Sequence, residues 1–167
     1  MSEVNETTTP ATPETTGGTG ENTGGTGGTA TTASTSTSWL NLAIEAVMDL
    51  IDGLGNFATI TRGALGIDDG LCCEVAPSNA QEIYLDKNGY FMITLALNGK
   101  HHNLQTITDT LNNIMDNLTR LTTYPTGTGF QIVDITNGMM PHIIGREENN
   151  AWLLACDIII KIYRKDD

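Results

Sequence analysis

Ala151-Trp152-Leu153-Leu154-Ala155-Cys156-Asp157-Ile158-Ile159-Ile160-Lys161-Ile162-Tyr163 reads as one long β-strand. Side chains alternate along a strand, so Trp152, Leu154, Cys156, Ile158, Ile160 and Ile162 share a face that is wholly apolar. The other row, Leu153, Ala155, Asp157, Ile159, Lys161 and Tyr163, is mixed. One face therefore belongs to a core and the other is only partly wet, with the β-branched enrichment that strands favour. Upstream, Phe130–Thr136 forms the partner strand, and the residues between the two read as a long apolar loop.

Working outward, Tyr124-Pro125-Thr126-Gly127 closes a helix and leads into Phe130. That helix, roughly His102 to Leu121, carries a stripe of Leu104, Ile107, Leu111, Ile114, Met115, Leu118 and Leu121. Asn98-Gly99-Lys100 turns the chain into it from a strand at Tyr90–Leu97, whose core row is Phe91, Ile93, Leu95 and Leu97. Lys87-Asn88-Gly89 is a hairpin signal before that strand. Leu71–Ala76 and Phe57–Arg62 are two further strands, separated by the glycine-rich, acidic loop Gly63–Gly70. A first amphipathic helix, Trp39–Ile51, follows an N-cap at Ser38 and presents Leu40, Ala43, Ile44, Val47 and Ile51 to the core. These elements predict an α+β two-layer sandwich. Its sheet is mixed or antiparallel, of about four to five strands, with two helices packed on one face.

Composition divides the chain into a Thr/Gly-rich tail, residues 1–38, and one domain, residues 39–167. The tail has no aromatic residue and no Lys, Arg, Leu or Ile. Such a segment cannot bury enough apolar surface to offset its ordering entropy, so an extended, flexible tail is expected. Of the formal charge of −12, the body keeps −8. An acidic body does not grip phosphate backbones, which excludes specific nucleic-acid binding and leaves DNA free to pass by. The N-terminus has neither the basic region nor the apolar run of a signal peptide. No stretch has the roughly 20 apolar residues a membrane span requires. Cys72, Cys73 and Cys156 form no disulfide framework, because strand neighbours point oppositely. Reduced, partly buried thiols are expected, consistent with assembly in the cytoplasm.

Catalytic constellations are hard to find. His101-His102 and His142 lack a third ligand at diagnostic spacing, so no metal or cofactor site is expected. Asp68-Asp69 and Glu147-Glu148 read as solvated turns, although with His142 they would form the acid/base set of a small hydrolase-like enzyme. Cys72-Cys73 sits beside Glu74, the wrong electrostatic setting for a nucleophilic thiolate. What stands out is Met139-Met140-Pro141-His142-Ile143-Ile144, apolar where turn residues belong. Pro141 bars it from the middle of a sheet. It either folds back on the domain's own core, as in a monomeric ligand-binding domain, or meets another subunit. Arg146 beyond it is an inter-subunit ion-pair donor in the second case.

Three features in this order resemble the tail terminator (minor capsid) proteins of long-tailed bacteriophages. They are Ile83-Tyr84-Leu85-Asp86-Lys87-Asn88-Gly89 before a strand, Asn98-Gly99-Lys100 before the striped helix, and Pro141-His142-Ile143-Ile144-Gly145-Arg146-Glu147-Glu148-Asn149 before the final strand. The likeness spans Trp39 to Tyr163 and excludes the Thr/Gly tail. It implies a non-enzymatic virion protein that forms a sixfold ring with itself on the last ring of tail tube protein. The ring would end tube polymerisation at the head–tail junction, offer a surface to the head-completion or connector protein, and let DNA through its lumen. The resemblance also implies contact roles for Tyr84, Asp86, Met139, Met140, Pro141, Ile143, Ile144, Arg146 and Glu147. A head-completion protein of the same virion is the near alternative.

Overall fold

The computed structural model describes residues 38–78, 81–85 and 88–165. The Thr/Gly-rich segment apart from Ser38, and Asp86, lie outside the described residues. The element order is α1 (Trp39–Asp52), β1 (Ile60–Arg62), β2 (Gly70–Ala76), β3 (Gln81–Ile83), β4 (Gly89–His101), α2 (Leu104–Thr119), β5 (Thr126–Gly127), β6 (Phe130–Arg146) and β7 (Trp152–Arg164).

The expected sheet of four to five strands with two helices packed on one face is not what forms. The sheet has seven strands in the order β1-β2-β4-β7-β6-β5, with β3 paired to the start of β4. It is mixed, because β1 and β2 run parallel while every other pair is antiparallel. It curls into a half-barrel, and the fold is mostly strand. The discrepancy has two sources. Strands of two or three residues, such as β3 and β5, are too short to show a hydrophobic period. The long strands also continue through residues that ordinarily end them.

Asn98-Gly99-Lys100 is such a place. It is no turn: β4 runs through it to His101, paired to β2 and β7 on either side. Gly99 has a packing role, since a Cβ there would lie 2.9 Å from Ile107 Cδ1 and 3.1 Å from Leu71 Cδ2. A glycine lets α2 press onto the strand. The turn comes at His102, and Asn103 caps α2 by accepting from the N–H groups of Gln105 and Thr106. Ser38 precedes α1 without a side-chain capping bond.

The core is where the alternation placed it. Leu154, Cys156, Ile158, Ile160 and Ile162 of β7 are buried with Ile93, Leu95 and Leu97 of β4. The stripes Ala43, Ile44, Val47, Ile51 of α1 and Ile107, Leu111, Ile114, Met115, Leu118 of α2 join the same cluster. All three cysteines are free and buried.

Candidate functional site

The loop expected between the last two strands is also a strand. β6 continues from Phe130 to Arg146 and pairs with β7 along its length, from Phe130 opposite Arg164 to Arg146 opposite Trp152. Pro141 is accommodated because the pairing slips between Met139 and His142, one of four register irregularities in β6. A proline without a ladder hydrogen bond fits a bulge on an edge strand. At another slip Gly138 is pressed against β7, where a Cβ would meet Asp157 Cβ at 3.1 Å.

The two halves of β6 differ in surroundings. Ile132 and Ile135 are buried, whereas Met139, Met140, Ile143 and Ile144 are all about half exposed. Length explains this. A 16-residue helix such as α2 reaches roughly 24 Å, whereas the 17 residues of β6 reach roughly 55 Å. The strand outruns the helical cover. Among the described residues no strand pairs with the outer edge of β6 beyond Gln131. Asn137–Arg146 is thus an arm at the sheet rim. Ile143 lies opposite Leu154 on the core-side row and Met139 opposite Asp157 on the other, so both faces of the arm carry apolar groups.

The Arg146 end of the arm is firmly held. In the turn after Arg146, the Glu147 N–H donates to Ala151 O at 2.9 Å and the Asn150 N–H to Glu147 O at 2.9 Å. Asn150 adopts φ 69°, a left-handed conformation that asparagine tolerates. The Arg146 guanidinium lies 4.6 Å from the centre of the Trp152 ring. Lys100 is 2% exposed, and its Nζ donates to Gly66 O and Ile67 O at 2.5 Å each while reaching Glu147 at 3.4 Å. One buried cation so ties the Gly63–Gly70 loop to the arm. Sequence gave no hint of it, since Lys100 reads as a turn residue.

The contact residues expected from sequence do not form one patch. Met139, Met140, Pro141, Ile143, Ile144, Arg146 and Glu147 lie together on the arm and its turn. Tyr84 follows β3, its ring edge-on to Tyr90 at 6.2 Å, beside Gly89, which pairs with Arg164. The length of β4, roughly 40 Å for 13 residues, separates that end from His101 and the tip of the arm. Leu85 and Ile83 are exposed next to Tyr84, and Ile67 is 91% exposed on the loop that Lys100 holds. The inward packing expected of a monomeric ligand-binding domain is not seen at Met139–Ile144.

The vicinal histidines are engaged by Asp69. His102 Nδ1 lies 2.8 Å and His101 Nε2 3.6 Å from the Asp69 carboxylate. Among the described residues no three His, Cys, Asp or Glu side chains are grouped to hold a metal. Burial, with the Asp157 charge adding, pushes the Cys156 thiol up to about 12. Burial first, then Cys72, raises Cys73 to about 11, and burial also raises Cys72. Such thiols stay protonated and are poor nucleophiles. A pocket beside β1 is lined by Asp68 and Asp69, but by neither His142 nor Glu147. No family model and no curated protein matches the chain.

Proposed function

We propose that this chain is a structural ring subunit that caps the tail tube of a long-tailed bacteriophage, ends its polymerisation and provides the joining surface for the head. The reading is carried by the arm: an apolar strand at a sheet edge, rich in Met and Ile, exposed on both faces. Exposed apolar groups gathered in one place mark interaction surfaces, and Met and Arg are enriched in protein–protein contacts. The order of motifs described from the sequence supports the same assignment. Partners on this reading are other copies of the chain, the tail tube protein and a head-completion or connector protein. DNA crosses the lumen unbound, because a body of formal charge −8 repels phosphates.

The experiment is Ile143→Asp. A charge buried unpaired at a subunit contact costs several kcal/mol, whereas in a free subunit it stays hydrated. The variant is expected to keep a cooperative thermal transition near that of the wild type. It is also expected to form no rings on tail tubes, leaving tails of uncontrolled length in electron micrographs. Normal rings with the aspartate in place would refute the role of the arm.

A further inference from the structure

The chain that presents the arm also carries a recess that can receive one. At the opposite edge of the sheet from β6, a pocket of about 390 Å³ opens between β1 and the Gly63–Gly70 loop. Ala58, Thr59, Ala64, Gly66 and Gly70 contribute to its lining, leaving space that larger apolar side chains could fill. Its wall is pinned: Lys100 holds the carbonyls of Gly66 and Ile67, and Asp69 engages both histidines. A receptor fixed before binding loses little entropy on complexation.

Charge also matches. The arm, residues 137–146, contains His142 and Arg146 and no acidic residue, in a body that is otherwise strongly acidic. The Gly63–Gly70 loop contains Asp68 and Asp69 and no basic residue. Asp68 is exposed, and among the described residues no cation pairs with it. The arm does not invite simple strand addition. Three register slips and Pro141 break the regular run of hydrogen-bonding groups that a neighbouring strand would need, as on other protected edges. Recognition through side chains entering a recess fits this edge better.

We infer that the apolar arm of one copy docks into the pocket between β1 and the Gly63–Gly70 loop of the next copy, with Arg146 facing Asp68. This rests on the ring reading and specifies its interface. Arm and pocket are different surfaces of the chain, joined within each copy through Lys100, so each copy gives one contact and receives one. The association is heterologous, and it closes into a ring when the rotation between copies permits.

Paired cysteines test it on the full chain. Cys72, Cys73 and Cys156 are at most 1% exposed and do not interfere. Oxidation of the double variant Ala64→Cys/Ile144→Cys should give a disulfide ladder from dimer up to the closed ring on a non-reducing gel. Each single cysteine variant should remain monomeric there. Asp68→Arg in that background should lower ladder yield by about tenfold, and adding Arg146→Asp should restore it to within about threefold. A dimer band from Ile144→Cys alone would indicate a two-fold arm-to-arm contact and overturn the inference. So would the absence of a ladder, or charge reversals without mutual rescue. If Ile143→Asp still blocks rings in that event, the arm docks elsewhere and the ring reading stands. If Ile143→Asp forms rings, the ring reading itself fails.

Discussion

Ile132 and Ile143 sit in the same strand, paired to the same neighbour, on the same row of side chains, opposite Ile162 and Leu154. One is 1% exposed and the other 52%. β7 stays packed throughout, because β4 and β6 flank it. β6 loses its cover because it is both at the rim and longer than the helices that shade the sheet. Apolar character therefore marks what can be buried, and position in the sheet decides whether the chain itself buries it. The first half of β6 spends its side chains on folding. The second half leaves them exposed.

The sharpest way to break this comparison is to place the same charge in both halves. Ile132→Asp buries an uncompensated carboxylate and should cost more than about 4 kcal/mol, enough to abolish a cooperative urea transition. Ile143→Asp should shift that transition by less than about 0.5 kcal/mol. Equal effects at the two positions would erase the distinction.

Truncation in the shared core gives the next largest effect. Leu111 on α2 and Ile158 on β7 are fully buried, so replacing either with Ala should cost about 2–5 kcal/mol in urea titrations. Values below about 1 kcal/mol at both sites would show that these faces do not form the core.

Lys100 links the folded half to the exposed one. Lys100→Met strands two carbonyls and should cost about 1–3 kcal/mol. Hydrogen exchange should speed up in the Gly63–Gly70 loop and the Glu147–Ala151 turn while α2 stays protected. Unchanged exchange in both segments would show that the lysine does not tie them together.

The smallest effect concerns the thiols. Cys73 and Cys156 hold their protons in the folded state up to about 11 and about 12, above the usual thiol range. The folded form therefore binds more protons than the unfolded one once pH exceeds that range. This contribution to stability is fully present at neutral pH and is lost as pH rises through 11 to 12. At pH 8 a thiol reagent such as DTNB should react with none of the three until urea unfolds the chain. Rapid native-state labelling would contradict the burial.

How much was legible in the sequence varies by element. Both helices and β7 were, because stripes such as Ile107-Leu111-Met115-Leu118 and rows such as Leu154-Cys156-Ile158-Ile160 repeat long enough to define a period. The ends of β4 and β6 were not. Gly99 and Pro141 are local breakers only when nothing outside the segment supports it. Here α2 packs on the one and a bulge absorbs the other. Within the candidate site the apolar run Met139–Ile144 was visible as an anomaly, and Arg146 as its charged neighbour. The Lys100 tie left no trace, since its partners Ile67 and Glu147 lie 33 and 47 positions away in the chain.

By itself the sequence determined which residues are apolar, with what period, and that the body is acidic with few groups suited to catalysis. Those properties are local, set by side-chain chemistry and spacing. The tertiary structure alone decided the number of strands, which of them lie at the rim, and that Met139–Ile144 faces outward instead of into the core. Such facts depend on how far each helix reaches over the sheet and which edges stay unpaired. Both are settled by contacts between segments remote in sequence.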